Sequence, residues 1–193
     1  MKKSLLWLYA WAVLAVCSLR AQEVKGVPAS DRWQTTQWDA RWITPGQMAE
    51  GEFEAYRFRK TFTLEERPGH FVINLSADPR YELFVNGQRV HRGPARGTLQ
   101  AWRYETLDIA PWLHAGENVL AATVWNFGRW SGGAQVSLYS GLILQGEGPA
   151  ESVLNTDASW KSYNDCSLSP SLDYLQDVEP GLIVDGTRYP WGW

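Results

Sequence analysis

The chain reads as all-β, and three observations lead to that expectation. Short runs alternate apolar and polar residues with period two. Frequent Gly, Asn and Pro turns separate those runs, Asn86-Gly87 being the strongest of them. Beyond Ala21 no stretch holds a helical period for three turns. Together these predict a sandwich or a barrel.

The elements follow in order. Trp38, Ala40 and Trp42 alternate with Asp39, Arg41 and Ile43, predicting a first strand over residues 38–44, with a loop at 45–54. Tyr56, Phe58 and Phe62 alternate with Arg57, Arg59 and Thr61, the pattern of a half-buried strand. Phe71, Ile73, Leu75 and Ala77 share one face of the next run, with Asn74 and Ser76 on the other. Tyr81, Leu83 and Val85 share a face of the run after that. Asn86-Gly87 then closes a hairpin, because both central positions of the favoured two-residue turn need φ > 0. A strand is expected over 102–107, then one helical turn over 108–113, capped by Asp108 and tolerating Pro111 near its start. Residues 119–125 are apolar on both faces and predict a central strand covered on both sides. Residues 135–145 read as one long strand, or two broken at Gly141. Val153-Leu154 and the run 159–161 flank a turn at 155–157, and the tail from Cys166 is loop-like.

The first residues are not expected to belong to the fold. Lys2 and Lys3 precede an apolar run from Leu5 to Val16, and Ala21 stands before Gln22. That is the layout of a secretory signal peptide over residues 1–21. The run is shorter than the roughly 20 residues a bilayer span needs, so no stable membrane span is expected after cleavage. Cys17, behind Leu14-Ala15-Val16, offers lipoprotein anchoring as a second export reading. Either way the chain is expected to be exported, to the periplasm or beyond. Residues 22–37 form a flexible lead-in, and 38–193 the sandwich. The sandwich is expected to be truncated at its C-terminal end, since it stops on Trp191-Gly192-Trp193 without a polar finish. Cys166 is then the one remaining cysteine, expected to be a small buried hydrophobe.

Composition narrows the function classes. A net charge of −3 gives no field for nucleic acid or an anionic membrane. Of twelve tryptophans, Trp7 and Trp11 fall in the leader and the rest lie beyond it. Flat aromatic rings suit the apolar C–H faces of sugars, although a sandwich core also needs large rings. Glycoside hydrolysis needs two matched carboxylates about 5–10 Å apart. Glu65-Glu66, Asp78 with Glu82, and Glu105 with Asp108 carry no mark of such a pair, so no catalytic residue is assigned. His70, His91 and His114 are too scattered for a zinc site and read as exposed turn residues. Gly93 and Gly97 lack the lysine–serine ending of a phosphate cradle, so neither a metal nor a cofactor is expected. What remains is a binding constellation: Arg96 in the loop 92–97, Trp102, and Arg129 and Trp130 in the loop 126–130. The alternative is that Arg96 and Arg129 pair with acids while Trp102 and Trp125 fill the core.

A longer set of runs carries a resemblance. Ser76-Ala77-Asp78-Pro79-Arg80-Tyr81-Glu82-Leu83-Phe84-Val85-Asn86-Gly87 is similar to the sandwich domains that precede glycosidase catalytic domains. Gly93-Pro94-Ala95-Arg96-Gly97, the run from Trp102 to Ala110, Ala115 to Ala121 and Val124-Trp125-Asn126-Phe127-Gly128 extend it. Trp38-Asp39-Ala40-Arg41-Trp42-Ile43, Asn155-Thr156-Asp157 and Trp160-Lys161 also fit. Over residues 38–193 the chain resembles the N-terminal region of bacterial α-L-rhamnosidases of glycoside hydrolase family 78. The resemblance implies a jelly-roll, galactose-binding-like β-sandwich ahead of an (α/α)₆ barrel that carries the catalytic carboxylates. Nothing in this chain resembles that barrel. The implied partners are therefore the catalytic domain of the same parent protein and, weakly, carbohydrate. A stand-alone carbohydrate-binding module is the alternative.

Overall fold

The computed structural model describes residues 37–45, 51–173 and 179–193. The expected leader and nearly all of the lead-in lie outside these residues.

Among the described residues ten strands form, every pairing antiparallel: β1 (Glu54–Leu64), β2 (Val72–Asp78), β3 (Arg80–Val85), β4 (Gln88–Gly93), β5 (Glu105–Asp108), β6 (Gly116–Asn126), β7 (Gly141–Gly146), β8 (Lys161–Asn164), β9 (Leu168–Ser171) and β10 (Gly181–Val184). A five-stranded sheet runs β4-β3-β6-β1-β8 and a three-stranded sheet runs β5-β2-β7, while β9 and β10 form a hairpin of their own. The two larger sheets face each other across one apolar core. Phe58, Leu83, Leu120 and Val124 come from one side, and Ile73, Leu75, Leu107 and Leu144 from the other. The chain is thus a sandwich of antiparallel sheets, held mainly by burial of these strand faces.

The period-two pattern decides which faces meet. On β2 the apolar set Ile73, Leu75 and Ala77 enters the core, which turns Asn74, Ser76 and Asp78 to the opposite face. On β3 Tyr81, Leu83 and Val85 enter, as expected. The β3–β4 hairpin turns on Asn86 (φ 50°) and Gly87 (φ 79°), the two positive φ values a type I′ turn demands. Buried Asn118 holds that corner: its Oδ1 accepts from Asn86 Nδ2 at 2.9 Å and from the His114 amide at 3.1 Å. The short helix is a 3₁₀ turn over Ala110–Trp112, and Asp108 Oδ1 accepts the Ala110 amide at 3.1 Å.

Several expectations are corrected. Residues 38–44 make one β-bridge, Ile43 to Leu142, and no strand. Side chains take the bonds a neighbouring strand would have taken: Gln145 Oε1 accepts the Ala40 amide at 2.9 Å, and Thr156 Oγ1 donates to Arg41 O at 2.6 Å. Residues 135–140 are not strand either, because Asp78 Oδ2 captures the amides of Leu138 and Tyr139 at 2.7 and 3.0 Å. The expected strand over 102–107 begins only at Glu105. β6 is central, but its outer face is half-open at Val119, Ala121 and Thr123 and closed only at Trp125. The cover there is the β9–β10 hairpin, which replaces the expected loop-like tail. Leu168 and Leu182 pack on a second cluster of Ala55, Trp125 and Phe127. Asp165 ties this cover to β1 by accepting from Arg57 Nε at 2.6 Å. Cys166 is exposed, not buried. His91 is half-buried on β4, within 2.9 Å of the Tyr81 hydroxyl, and is no exposed turn residue.

Candidate functional site

The polar face of β2 is the floor of a groove of about 780 Å³, a volume typical of small-molecule sites. The pinned segment 38–44 forms one wall, with Trp38 and Trp42. The loop 99–104 forms the other, with Trp102 and Tyr104, and Tyr139 stands at one end. The rings hold one another edge to face: Trp42 to Trp102 at 6.3 Å, Trp42 to Tyr139 at 5.7 Å and Trp38 to Tyr104 at 5.5 Å between centroids. Ser76 fixes the second wall. Its hydroxyl donates to Arg103 O at 2.6 Å and accepts from Trp102 Nε1 at 3.1 Å.

Asp78 closes the floor and is 2% exposed. Its Oδ2 holds the Leu138 and Tyr139 amides, while its buried Oδ1 has no hydrogen-bond partner among the described residues. Burial pushes the carboxyl above its usual value, against the pull of the Ser137 side chain and the two amides. Burial and then the Asp78 charge raise the neighbouring Tyr139 phenol. The groove thus combines aromatic walls with a few polar groups at its base. Such walls present flat aromatic faces on which the apolar face of a ring-shaped ligand can stack. Asp78 is the one carboxylate among the described residues lining it.

The four residues singled out in the sequence do not converge. Trp102 is a wall of the groove. Arg96 lies in a second, polar pocket of about 600 Å³, formed by β4, the loop 93–96 and residues 179–180. Arg129 forms a close ion pair with Glu52 and sits 4.8 Å over the Trp130 ring, which packs against the second cluster. Their loop approaches residues 51–52 so closely that Gly128 has no room for a Cβ: one placed there would lie 2.4 Å from Glu52 O. Trp38, Trp42, Tyr104 and Tyr139 were not singled out. The alternation of Trp38 and Trp42 with polar residues was visible, but that pattern marks a strand face and a site wall alike. Among the described residues no cluster of His, Cys, Asp or Glu could hold a metal ion.

No family model matches the chain. An α-L-rhamnosidase of Streptomyces avermitilis is 26% identical over 157 residues, covering 67% of this chain and 15% of that protein. The crystal structure of a family 78 rhamnosidase of Bacillus sp. GL1 superposes with a TM-score of 0.70 and 31% identity, over 82% of this chain and 17% of that one. The chain therefore spans about one-sixth of the length of the relatives it matches. In sequence and in backbone, this protein is similar to one sandwich-sized segment of the α-L-rhamnosidases of glycoside hydrolase family 78.

Proposed function

We propose that this chain is a non-catalytic, sugar-binding β-sandwich segment of an exported, α-L-rhamnosidase-like glycoside hydrolase that acts on rhamnose-containing glycans. The sandwich is of the jelly-roll, galactose-binding-like type, and the catalytic domain is carried by the rest of the parent protein. The observation that carries the reading is the groove: five aromatic side chains over the polar face of β2. A sugar ring stacks on the indoles over the buried polar floor of Ser76 and Asp78, while its hydroxyls reach the exposed Gln100 and Arg103 side chains at the rim. Hydrolysis by this groove is disfavoured because it needs two carboxylates flanking one bond, and the described lining offers Asp78 alone. Because the walls and floor of the groove come from this one chain, the same site also suits a self-sufficient carbohydrate-binding module.

Titration of the chain with α-L-rhamnosyl oligosaccharides tests this. A few hydrogen bonds and one stacked ring correspond to millimolar to high-micromolar affinity, about −4 to −5.5 kcal/mol. Trp102→Ala is expected to lower that affinity about tenfold or more, and the chain is expected to release no nitrophenol from an aryl α-L-rhamnoside. Undiminished binding by Trp102→Ala would remove the groove from the account. Turnover that disappears in Asp78→Asn would overturn the non-catalytic reading.

A further inference from the structure

The loop 92–97, with its two guanidiniums, is not part of the aromatic groove. It borders the second pocket, whose walls bring Arg80, Arg92 and Arg96 together with Glu105 and Glu179. Both carboxylates already have partners. Arg80 Nε reaches the two oxygens of Glu179 at 3.2 Å each, and Arg80 also donates to Pro94 O at 3.2 Å. Glu105 Oε1 accepts the Ala95 amide at 2.9 Å. Burial lowers the affinity of His91 for a proton, with Glu105 opposing, so its ring is neutral at pH 7. Among the described lining residues three guanidiniums therefore face two carboxylates, and Glu105, bonded to an amide, keeps its charge. Arg96 makes no ion pair among the described residues. Arg92 is 4.0 Å from Glu82, a carboxylate it shares with Arg89 at 3.3 Å, and its guanidinium is held 5.2 Å over the buried Trp125 ring. Buried Gly93, Pro94 and Pro180 give the pocket apolar backing.

We propose that this pocket is a second sugar site, selective for an acidic sugar, in which Arg92 and Arg96 bind the carboxylate of a uronic acid unit. Guanidiniums match a carboxylate with paired N–H donors, the prolines face the ring, and about 600 Å³ accommodates a single sugar unit. The two sites divide the chemistry between them. The groove presents aromatic rings, a buried carboxylate and Arg103 and takes neutral sugars, whereas this pocket sets three guanidiniums against two carboxylates among its described residues. The inference rests on the sugar-binding reading above only for the class of ligand, and its residues are separate from the groove.

The test is titration of the full chain with galacturonate, glucuronate, methyl α-L-rhamnoside and inorganic sulfate, followed by amide chemical shifts. A uronate is expected to move the resonances of residues 91–96, and to bind at least fivefold more weakly in the Arg92→Gln/Arg96→Gln variant and at raised salt. Trp102→Ala is expected to bind the uronate like the wild type while losing the neutral sugar. Both substitutions are on exposed side chains, and an unchanged melting temperature confirms that the fold is kept. A uronate that leaves 91–96 unmoved would overturn the proposal. So would undiminished binding by the double variant, or sulfate binding as tightly as the uronate, which marks a bare anion site. Loss of the neutral sugar in every protein, with the uronate response intact, would count against the groove alone.

Discussion

Trp125→Ala tests the account of the second cluster. Trp125 projects from the outer face of β6, is 1% exposed, and is covered by Phe127, Leu168 and Leu182. Emptying a buried tryptophan site costs about 3–5 kcal/mol. Part of that is returned, because Trp125 Nε1 is buried with no hydrogen-bond partner among the described residues and an unsatisfied donor costs about 1–3 kcal/mol. The guanidinium of Arg92 loses its ring, a small further cost of about 0.5–1 kcal/mol at an exposed site. The net expectation is about 2–4 kcal/mol. At about 2–4 °C per kcal/mol for a chain of this size, the melting temperature falls by roughly 4–16 °C. Far-ultraviolet circular dichroism is the assay, since the substitution removes a fluorophore. Trp125→Phe is the control: it keeps most of the packing and removes the orphan N–H, so it should melt within about 4 °C of the wild type. A shift below about 2 °C for the alanine variant would refute the reasoning, because it would mean the hairpin does not cover the ring. A phenylalanine variant as unstable as the alanine one would refute it differently, by showing that the indole N–H is bonded.

Four further outcomes are expected. Gly87→Val should destabilise by about 1–2 kcal/mol, because a Cβ there meets no neighbouring atom within 4 Å and only the positive φ resists it; Gly87→Asn should cost less, and denaturant melts compare the two. Asp108 is pushed up by partial burial, but the Phe71 amide, His70 and the Ala110 amide outweigh this and lower its carboxyl. Its stabilisation is therefore present above the ordinary carboxylate range and lost as pH falls through the lowered value, so Asp108→Asn should destabilise at pH 7 and converge with the wild type in acid. Asp78 is raised, so the sign reverses: its contribution is full below the unfolded value and lost as pH rises through the folded one. Melting curves of Asp78→Asn from pH 3 to 8 should lack that component, and identical pH profiles would refute the assignment. Ser76→Ala should release Trp102 Nε1 and the loop 99–104; weaker sugar binding together with a changed near-ultraviolet dichroic signal from the Trp42–Trp102 pair is the expected readout, and an unchanged signal would count against it.

By itself the sequence determined what alternation and turn chemistry can determine. The apolar faces of β1, β2 and β3 and the Asn86-Gly87 turn were legible because each depends on neighbours a few residues away. The resemblance to family 78 was legible because its motifs are contiguous runs. Tertiary structure decided the rest. Residues 38–44 and 135–140 have strand-like patterns, but distant side chains, Gln145, Thr156 and Asp78, take their backbone bonds, and no local signal announces that. The tail became a hairpin because the outer side of Trp125 needed cover, which a sequence shows only as an apolar residue on an unassigned face. The groove itself unites Trp38, Trp42, Trp102 and Tyr139 from segments up to a hundred residues apart. Alternation places each ring on a face, but only the packing of one sheet against its surrounding loops decides which faces meet.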